Sequence, residues 1–348
     1  MKATVLHAPG DVRLEEVPDP HLATAQDAIV RVTKACVCGS DLWYYRGDSP
    51  IKRPMPFGHE FIGVVEEVGS DVSTVRPGDF VIAPFTFSDN TCPPCRSGFQ
   101  SVCDHGGVWG RKDADGRPVD GGQGEFVRVP LADGTLVVVG EHDAALESSL
   151  LTLSDVMGTG WHAATSAGVS EGDTVAVVGD GAVGLCGVIA AAAKGAGRII
   201  AMSRNAERTK LAMDFGATDI VASRGEEGEA AVRDLTDGVG ADAVLECVGT
   251  GQSMTTAITI ARPGATVGYV GVPHGVELPI GRMFGTNVGI AGGVAPVRRY
   301  LPDLIELVTS GRIDPGKVFD LTLPLSEVAE AYAAMDERRA IKALLEVG

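Results

Sequence analysis

The sequence gathers three of its seven cysteines into one short stretch, Asp89-Asn90-Thr91-Cys92-Pro93-Pro94-Cys95 continuing to Cys103. Two thiols separated by two residues grip a metal well, but a structural zinc closes its tetrahedron with four ligands. The cysteines alone leave that set one ligand short. Upstream, Cys38-Gly39-Ser40-Asp41 and Gly58-His59-Glu60 supply thiolate, hydroxyl, imidazole and carboxylate, and Leu153-Ser154-Asp155 adds another carboxylate. Each motif is weak alone, since a lone histidine is more often a satisfied structural one. Together they match the needs of a catalytic zinc, which takes about three protein ligands and keeps a position open for substrate or water.

A second kind of chemistry is written in Val175-Ala176-Val177-Val178-Gly179-Asp180-Gly181-Ala182-Val183-Gly184. An apolar strand runs into G-x-G-x-x-G and then into a helical stretch. Gly179 suits a tight turn, Gly181 lets backbone approach a pyrophosphate, and Gly184 lets helix and strand pack closely. The opening of the helix, Ala182 and Val183, then lies at the phosphates. At the end of the next strand an NAD enzyme usually carries an acid for the ribose 2′-hydroxyl. Here Ile200-Ala201-Met202-Ser203-Arg204-Asn205 places Ser203 and Arg204 instead. These groups hydrogen-bond a 2′-phosphate where a carboxylate would repel it, so NADP is favoured over NAD.

The elements that must position these groups change character along the chain. A length of 348 residues suits about two domains. Residues 1 to about 150 carry short β-rich runs such as Phe61-Ile62-Gly63-Val64-Val65, punctuated by turns such as Arg76-Pro77-Gly78-Asp79. From about 155 to 293, strand and helix patterns alternate, which implies βαβ units and a parallel sheet. The final segment, ending in the strand-like Ala343-Leu344-Leu345-Glu346-Val347, is expected to return to the first domain. The expected division is 1–153 with 294–348, and 154–293.

A net charge of −17 disfavours nucleic acid and anionic membranes as partners. No apolar run is long enough to span a bilayer and no N-terminal signal is visible. An odd number of cysteines in metal-type spacing fits a reducing cytoplasm better than a disulfide framework.

Gly58-His59-Glu60-Phe61-Ile62-Gly63, continuing to Gly69 and Val72, resembles the signature of the zinc-containing alcohol dehydrogenases, in the medium-chain dehydrogenase/reductase superfamily. The resemblance extends in order over essentially the whole chain. It implies an α/β protein: a GroES-like, mainly β catalytic domain, discontinuous in sequence, and a Rossmann domain with a doubly wound parallel sheet. The implied function is interconversion of an alcohol with its aldehyde or ketone, zinc polarising the substrate oxygen and hydride passing to or from NADP(H). Cys38, His59 and Asp155 match the catalytic zinc ligands. The Asp in third place resembles bacterial NADP-dependent secondary alcohol dehydrogenases. Glu60 matches a glutamate that ligates zinc in some members, Asp41 a carboxylate that orients the ligand histidine, and Ser40 a hydroxyl that starts a proton relay. Val270 and Val272, in Tyr269-Val270-Gly271-Val272-Pro273, match backbone facing the nicotinamide amide, and Lys342 a basic residue reaching the cofactor phosphates.

The resemblance also completes the cysteine loop. The family's four structural ligands are separated by two, two and seven residues, and Asp89, Cys92, Cys95 and Cys103 fit that register, with Asp104 and His105 as competitors for the place of Asp89. Two zincs per chain and a dimer or tetramer are therefore expected. One departure stands out: five residues after Cys38, where many relatives carry a relay histidine, this chain has Trp43, followed by Tyr44 and Tyr45, which are expected to shape an apolar substrate pocket. The alternatives are an NAD(H)-dependent polyol or other alcohol dehydrogenase of the same superfamily, and a zinc-free enone or quinone reductase. The thiol and imidazole ligands count against the latter.

Overall fold

The structure, a computed structural model, describes residues 1–51 and 54–348. The chain divides into two compact units, Met1–Asp155 with Pro296–Gly348, and Val156–Ala295. Asp155 is thus the last residue of the first unit, whereas the expected boundary had put it in the second.

The first unit is built on the strand Ala28–Cys36, whose six apolar residues are all buried, while Arg31, Thr33 and Lys34 are partly exposed. It pairs antiparallel with Phe61–Val68, with Phe126–Val129, and with the C-terminal strand Ala343–Glu346, where Leu344 lies opposite Cys36. The return of the C-terminus is therefore a strand in the main sheet of the first unit. Val30, Val32, Phe61, Val65, Val81 and Leu345 form part of one continuous core. The register carries the functional residues with it: Cys36 and Phe61 each sit at the end of a buried strand, two residues from Cys38 and from His59. A β-branched, apolar run that fits a pleated, buried surface thus places two short polar motifs side by side.

The second unit holds a six-stranded sheet, ordered Asp219–Val221, Arg198–Met202, Thr174–Val178, Ala241–Glu246, Ala261–Tyr269, Gly289–Gly292, with every pair parallel. The order reverses on either side of Thr174–Val178, and ligands bind open α/β sheets at the carboxyl ends of strands beside such a switch. The strands are short apolar runs, as parallel strands covered on both faces require. The helix Ala182–Ala193 is buried along most of its length. Among the described residues no helix is long and apolar enough to cross a membrane.

Candidate metal centres and nucleotide loop

The first centre is assembled by one carboxylate. Asp41 opens the short helix Asp41–Arg46 and is almost fully buried. Its Oδ2 accepts the backbone N–H of Cys38 at 3.1 Å, while the Asp41 N–H returns a bond to the Cys38 carbonyl, also at 3.1 Å. Its Oδ1 lies 3.1 Å from His59 Nδ1. One side chain therefore fixes the turn bearing the thiol and the ring bearing the imidazole. Holding Nδ1 in this way leaves Nε2 as the free donor, the arrangement that metal-binding histidines need.

His59 Nε2 faces Asp155 Oδ2 at 3.4 Å, and the same oxygen is 3.5 Å from Cys38 Sγ. Asp155 follows the helix Glu147–Thr152, and its turn is anchored by the Phe85 N–H on the Ser154 carbonyl at 2.9 Å. Gly58 places the histidine: its φ is +84°, and a Cβ there would meet Gln123 Cγ at 2.3 Å, so only glycine suits this corner. Ser40 donates to Cys38 Sγ from Oγ at 3.2 Å and from its amide at 3.5 Å.

Ligand atoms of Cys38, His59, Glu60 and Asp155 all lie within 4.8 Å of one another. The charges in this pocket do not balance among themselves. Burial, then Asp155 and Glu60, push the Cys38 thiol pKa up. Burial opposes a charged His59, but Asp41 and Cys38 together hold its pKa well above the ordinary histidine value. Glu60 is raised by burial despite Lys342, and its Oε2 is buried without a hydrogen-bond partner. A soft sulfur, a nitrogen and two carboxylates crowded in a buried space fit a zinc ion, whose two positive charges would settle this excess of negative groups.

Lys342 was expected at the cofactor phosphates, and the structure corrects this. It is 1% exposed, and its Nζ donates to Glu60 Oε1 at 2.7 Å and to the Val37 carbonyl at 3.1 Å. The residue immediately precedes the buried C-terminal strand, which carries its side chain beneath the sheet rather than out to solvent. Tyr44 and Tyr45 also depart from expectation. Tyr44 packs edge-on against Phe57 with centroids 6.2 Å apart, and Tyr45 lies 5.6 Å from the Tyr332 ring, so both pad the core. Two residues with no motif of their own belong to the centre. Tyr332 and Gln123 are fully buried and bonded to each other at 3.1 Å; Tyr332 also reaches Asp41, and Gln123 Nε2 holds the Cys36 carbonyl at 2.9 Å.

The second centre brings Asp89, Cys92, Cys95 and Cys103 together, their ligand atoms again within 4.8 Å. No disulfide joins any of the seven cysteines, and Cys92 and Cys103 approach to 3.7 Å. Asp89 Oδ1 accepts the amides of Thr91 at 2.7 Å and Cys92 at 3.0 Å, which folds the loop back on itself. Oδ2 lies 2.6 Å from His105 Nδ1. Burial works against a charged Asp89, but His105 and the two amides outweigh it and hold the carboxyl well below the ordinary range. Burial also works against a charged Cys92, yet the amides of Cys95 and Asp104 lower its thiol pKa, while burial raises those of Cys95 and Cys103. An ionised carboxylate and three converging sulfurs suit a closed, four-ligand zinc site. His105 lies behind Asp89 as its hydrogen-bond partner.

In the second unit, Gly179 (φ +117°) closes the turn after the strand, and a Cβ on Gly184 would stand 1.9 Å from the Gly179 carbonyl oxygen. Gly179 is therefore demanded by its positive φ and Gly184 by backbone contact. Gly181 caps the helix that Ala182 and Val183 begin, and a Cβ there would meet nothing within 4 Å, leaving the amides open to a ligand. Ser203 differs from expectation: it is 2% exposed, its Oγ donates to Asp180 Oδ2 at 3.0 Å and accepts from Thr209 at 3.1 Å. Arg204 lines a cavity at the ends of the neighbouring strands. The Val270 amide bonds the Glu246 carbonyl at 2.9 Å, and Val272 is half exposed with its carbonyl bonded to His274.

Residues 24–139 match the model of the alcohol dehydrogenase GroES-like domain, and residues 182–310 that of the zinc-binding dehydrogenases. A probable zinc-binding alcohol dehydrogenase of Mycobacterium tuberculosis is 38% identical over 97% of this chain and 86% of its own length. The chain belongs to the zinc-type alcohol dehydrogenases. An NADP-dependent isopropanol dehydrogenase of Thermoanaerobacter brockii is 36% identical over 84% of each chain. The alcohol dehydrogenase TADH from Thermus sp. ATN1 superposes with a TM-score of 0.92 at 33% identity, covering the whole of both chains. Membership in this family implies zinc and a nicotinamide cofactor, and it matches both the donor sets and the Rossmann-type sheet.

Proposed function

We propose that this member of the family is an NADP(H)-dependent dehydrogenase of secondary alcohols, working reversibly on the corresponding ketones. The observation that carries the reading is the converging set Cys38, His59 and Asp155, with Glu60 beside it. Asp155 in third place supports the secondary-alcohol branch, and Arg204 on the nucleotide cavity, where an acid is usual in NAD enzymes, supports NADP. The similarity to an isopropanol dehydrogenase that uses NADP is consistent with both.

Cys38, His59 and Asp155 would hold the zinc, which would supply a Lewis acid for the substrate oxygen, and the nicotinamide would supply the hydride chemistry. The chain's own groups do the rest. Asp41 keeps His59 and Cys38 in place. Ser40, beside Cys38 Sγ, takes the proton of the substrate hydroxyl. Trp43 has no group that takes up a proton, so it does not carry that proton beyond Ser40. Asp89, Cys92, Cys95 and Cys103 hold a second zinc whose role is structural.

The NAD-dependent alternative has one specific support, the Asp180 carboxylate beside Ser203. Zinc analysis, together with a screen of secondary alcohols, primary alcohols and polyols run with both NADP and NAD, tests the proposal. Zinc-dependent turnover of secondary alcohols with NADP is the expected result. Turnover of polyols with NAD alone would overturn it.

A further inference from the structure

We propose that Arg224, which the sequence motifs do not single out, acts with Arg204 as a two-sided clamp on the 2′-phosphate of the cofactor's adenosine. This rests on the NADP reading above and says which residues enforce it. The two arginines follow adjacent parallel strands: Arg204 lies two residues beyond Arg198–Met202, and Arg224 three beyond Asp219–Val221, with Met202 opposite Val221 in register. Adjacent strands run roughly 5 Å apart, so the two loops flank one space. That space is an open cavity, which both arginines line. Its apolar wall includes Val178, Met202, Val221 and Val248, a surface suited to the flat face of an adenine ring.

The charge pattern identifies the ligand class. The chain carries 46 acidic against 29 basic residues. Three other arginines of this unit are matched to acids, Arg198 with Asp219, Arg208 with Asp180 and Arg262 with Asp242, while Arg233 and Arg282 donate to the Thr259 carbonyl. Among the described residues Arg204 and Arg224 form no ion pair, and no acidic side chain lines the cavity. Two unpaired guanidinium groups on one rim, in a protein this acidic, suit a dianionic phosphate monoester, which planar forked donors grip in pairs. Ser203 cannot serve, because its hydroxyl is already engaged by Asp180 and Thr209. Asp180 is turned to Ser203 and Arg208 and is not among the lining residues.

The test is the ratio of dissociation constants for 5′-AMP and 2′,5′-ADP (adenosine 2′,5′-bisphosphate), which differ only in the 2′-phosphate, measured calorimetrically on the full-length protein. The wild type is expected to prefer 2′,5′-ADP by more than about tenfold, on the scale of charge-assisted bonds at about 1.4 kcal/mol per tenfold. Arg224→Ala should cut that ratio by about tenfold, and Arg224→Lys should keep part of it. A wild type without the preference overturns the NADP reading and the clamp together. A preference that survives intact in Arg224→Ala overturns the clamp alone. Equal losses for both ligands also overturn it, by showing that Arg224 shapes the cavity instead of reading the phosphate.

Discussion

Tyr332 Oη lies 3.3 Å from Asp41 Oδ2, joining the last helix of the chain to the carboxylate that holds Cys38 and His59. The two residues are 291 positions apart in sequence. The hydroxyl has one proton to give, to Asp41 or to Gln123 Oε1, and both acceptors are buried. Groups behind a metal ligand's partner orient the ligand, and losing such groups typically lowers metal affinity by about 10–100-fold. Tyr332→Phe, one layer further out, should speed loss of the catalytic zinc to a chelator by about tenfold while leaving the other zinc in place. Equal loss of both zincs would show general loosening of the fold instead. With cobalt in the catalytic site, the visible spectrum should shift in the variant, reporting altered ligand geometry without reliance on turnover.

The Asp89 site makes a separate prediction, because its four ligands form a cluster of their own. Asp89→Ala should reduce zinc from two per chain to one and lower the thermal midpoint by several degrees, since metal affinity at such sites is folding energy. Asp89→Cys should keep both zincs. His105→Ala should weaken zinc retention in the native background, where it fixes Oδ2. In the Asp89→Cys background there is no carboxylate to fix, and the same change should do little. Full zinc content and an unchanged midpoint in Asp89→Ala would remove Asp89 from the ligand set.

Glu60 and Lys342 are both buried, so neither can be removed without stranding the other. Breaking one side of a buried pair typically costs about 3–5 kcal/mol, because the remaining charge has no solvent to turn to. Lys342→Met should destabilise the protein on that scale in urea unfolding. Glu60→Gln combined with Lys342→Met should cost clearly less than the sum of the two single changes, as contacting residues do. Strict additivity would mean that the pair does not interact as its 2.7 Å separation indicates.

Side-chain chemistry and spacing were legible wherever the relevant contacts are local or repeat a motif. Cys38, Ser40 and Asp41 lie within one turn, as do Gly179, Gly181 and Gly184, and alternating strand and helix patterns foretold the parallel sheet. Long-range burial was not legible. Lys342 read as a residue for the cofactor phosphates, yet it is buried and bonded to Glu60, 282 residues away. The available signal was its position directly before Ala343-Leu344-Leu345, a strand buried throughout. Ser203 read as a ligand because hydroxyls bind phosphates, but hydroxyls also bind carboxylates, and Asp180 reaches it from a neighbouring loop. Tyr332 and Gln123 had no signal at all: a tyrosine in a helix looks the same whether its hydroxyl meets water or a buried aspartate.

Arg198 and Asp219 tie the starts of two adjacent strands in the nucleotide unit through two bonds of 2.8 Å each. Arg198 also donates to the Leu235 carbonyl, which anchors the following helix. The arginine's hydrogen bonds move the Asp219 pKa from 3.8 down to about 2. A carboxylate whose folded pKa is depressed stabilises the fold above its unfolded value and loses that contribution as pH falls through the folded one. The contribution is therefore complete above about pH 3.8, declines below it and is gone below about 2. The pair is partly exposed, so its effect at neutral pH is small and screened by salt. Asp219→Asn should lower the thermal midpoint at pH 7 by a few degrees at most, and the gap to wild type should narrow as pH drops from 4 towards 2. Scanning calorimetry of both proteins across that range decides the matter: a gap that widens on acidification would contradict the depressed pKa.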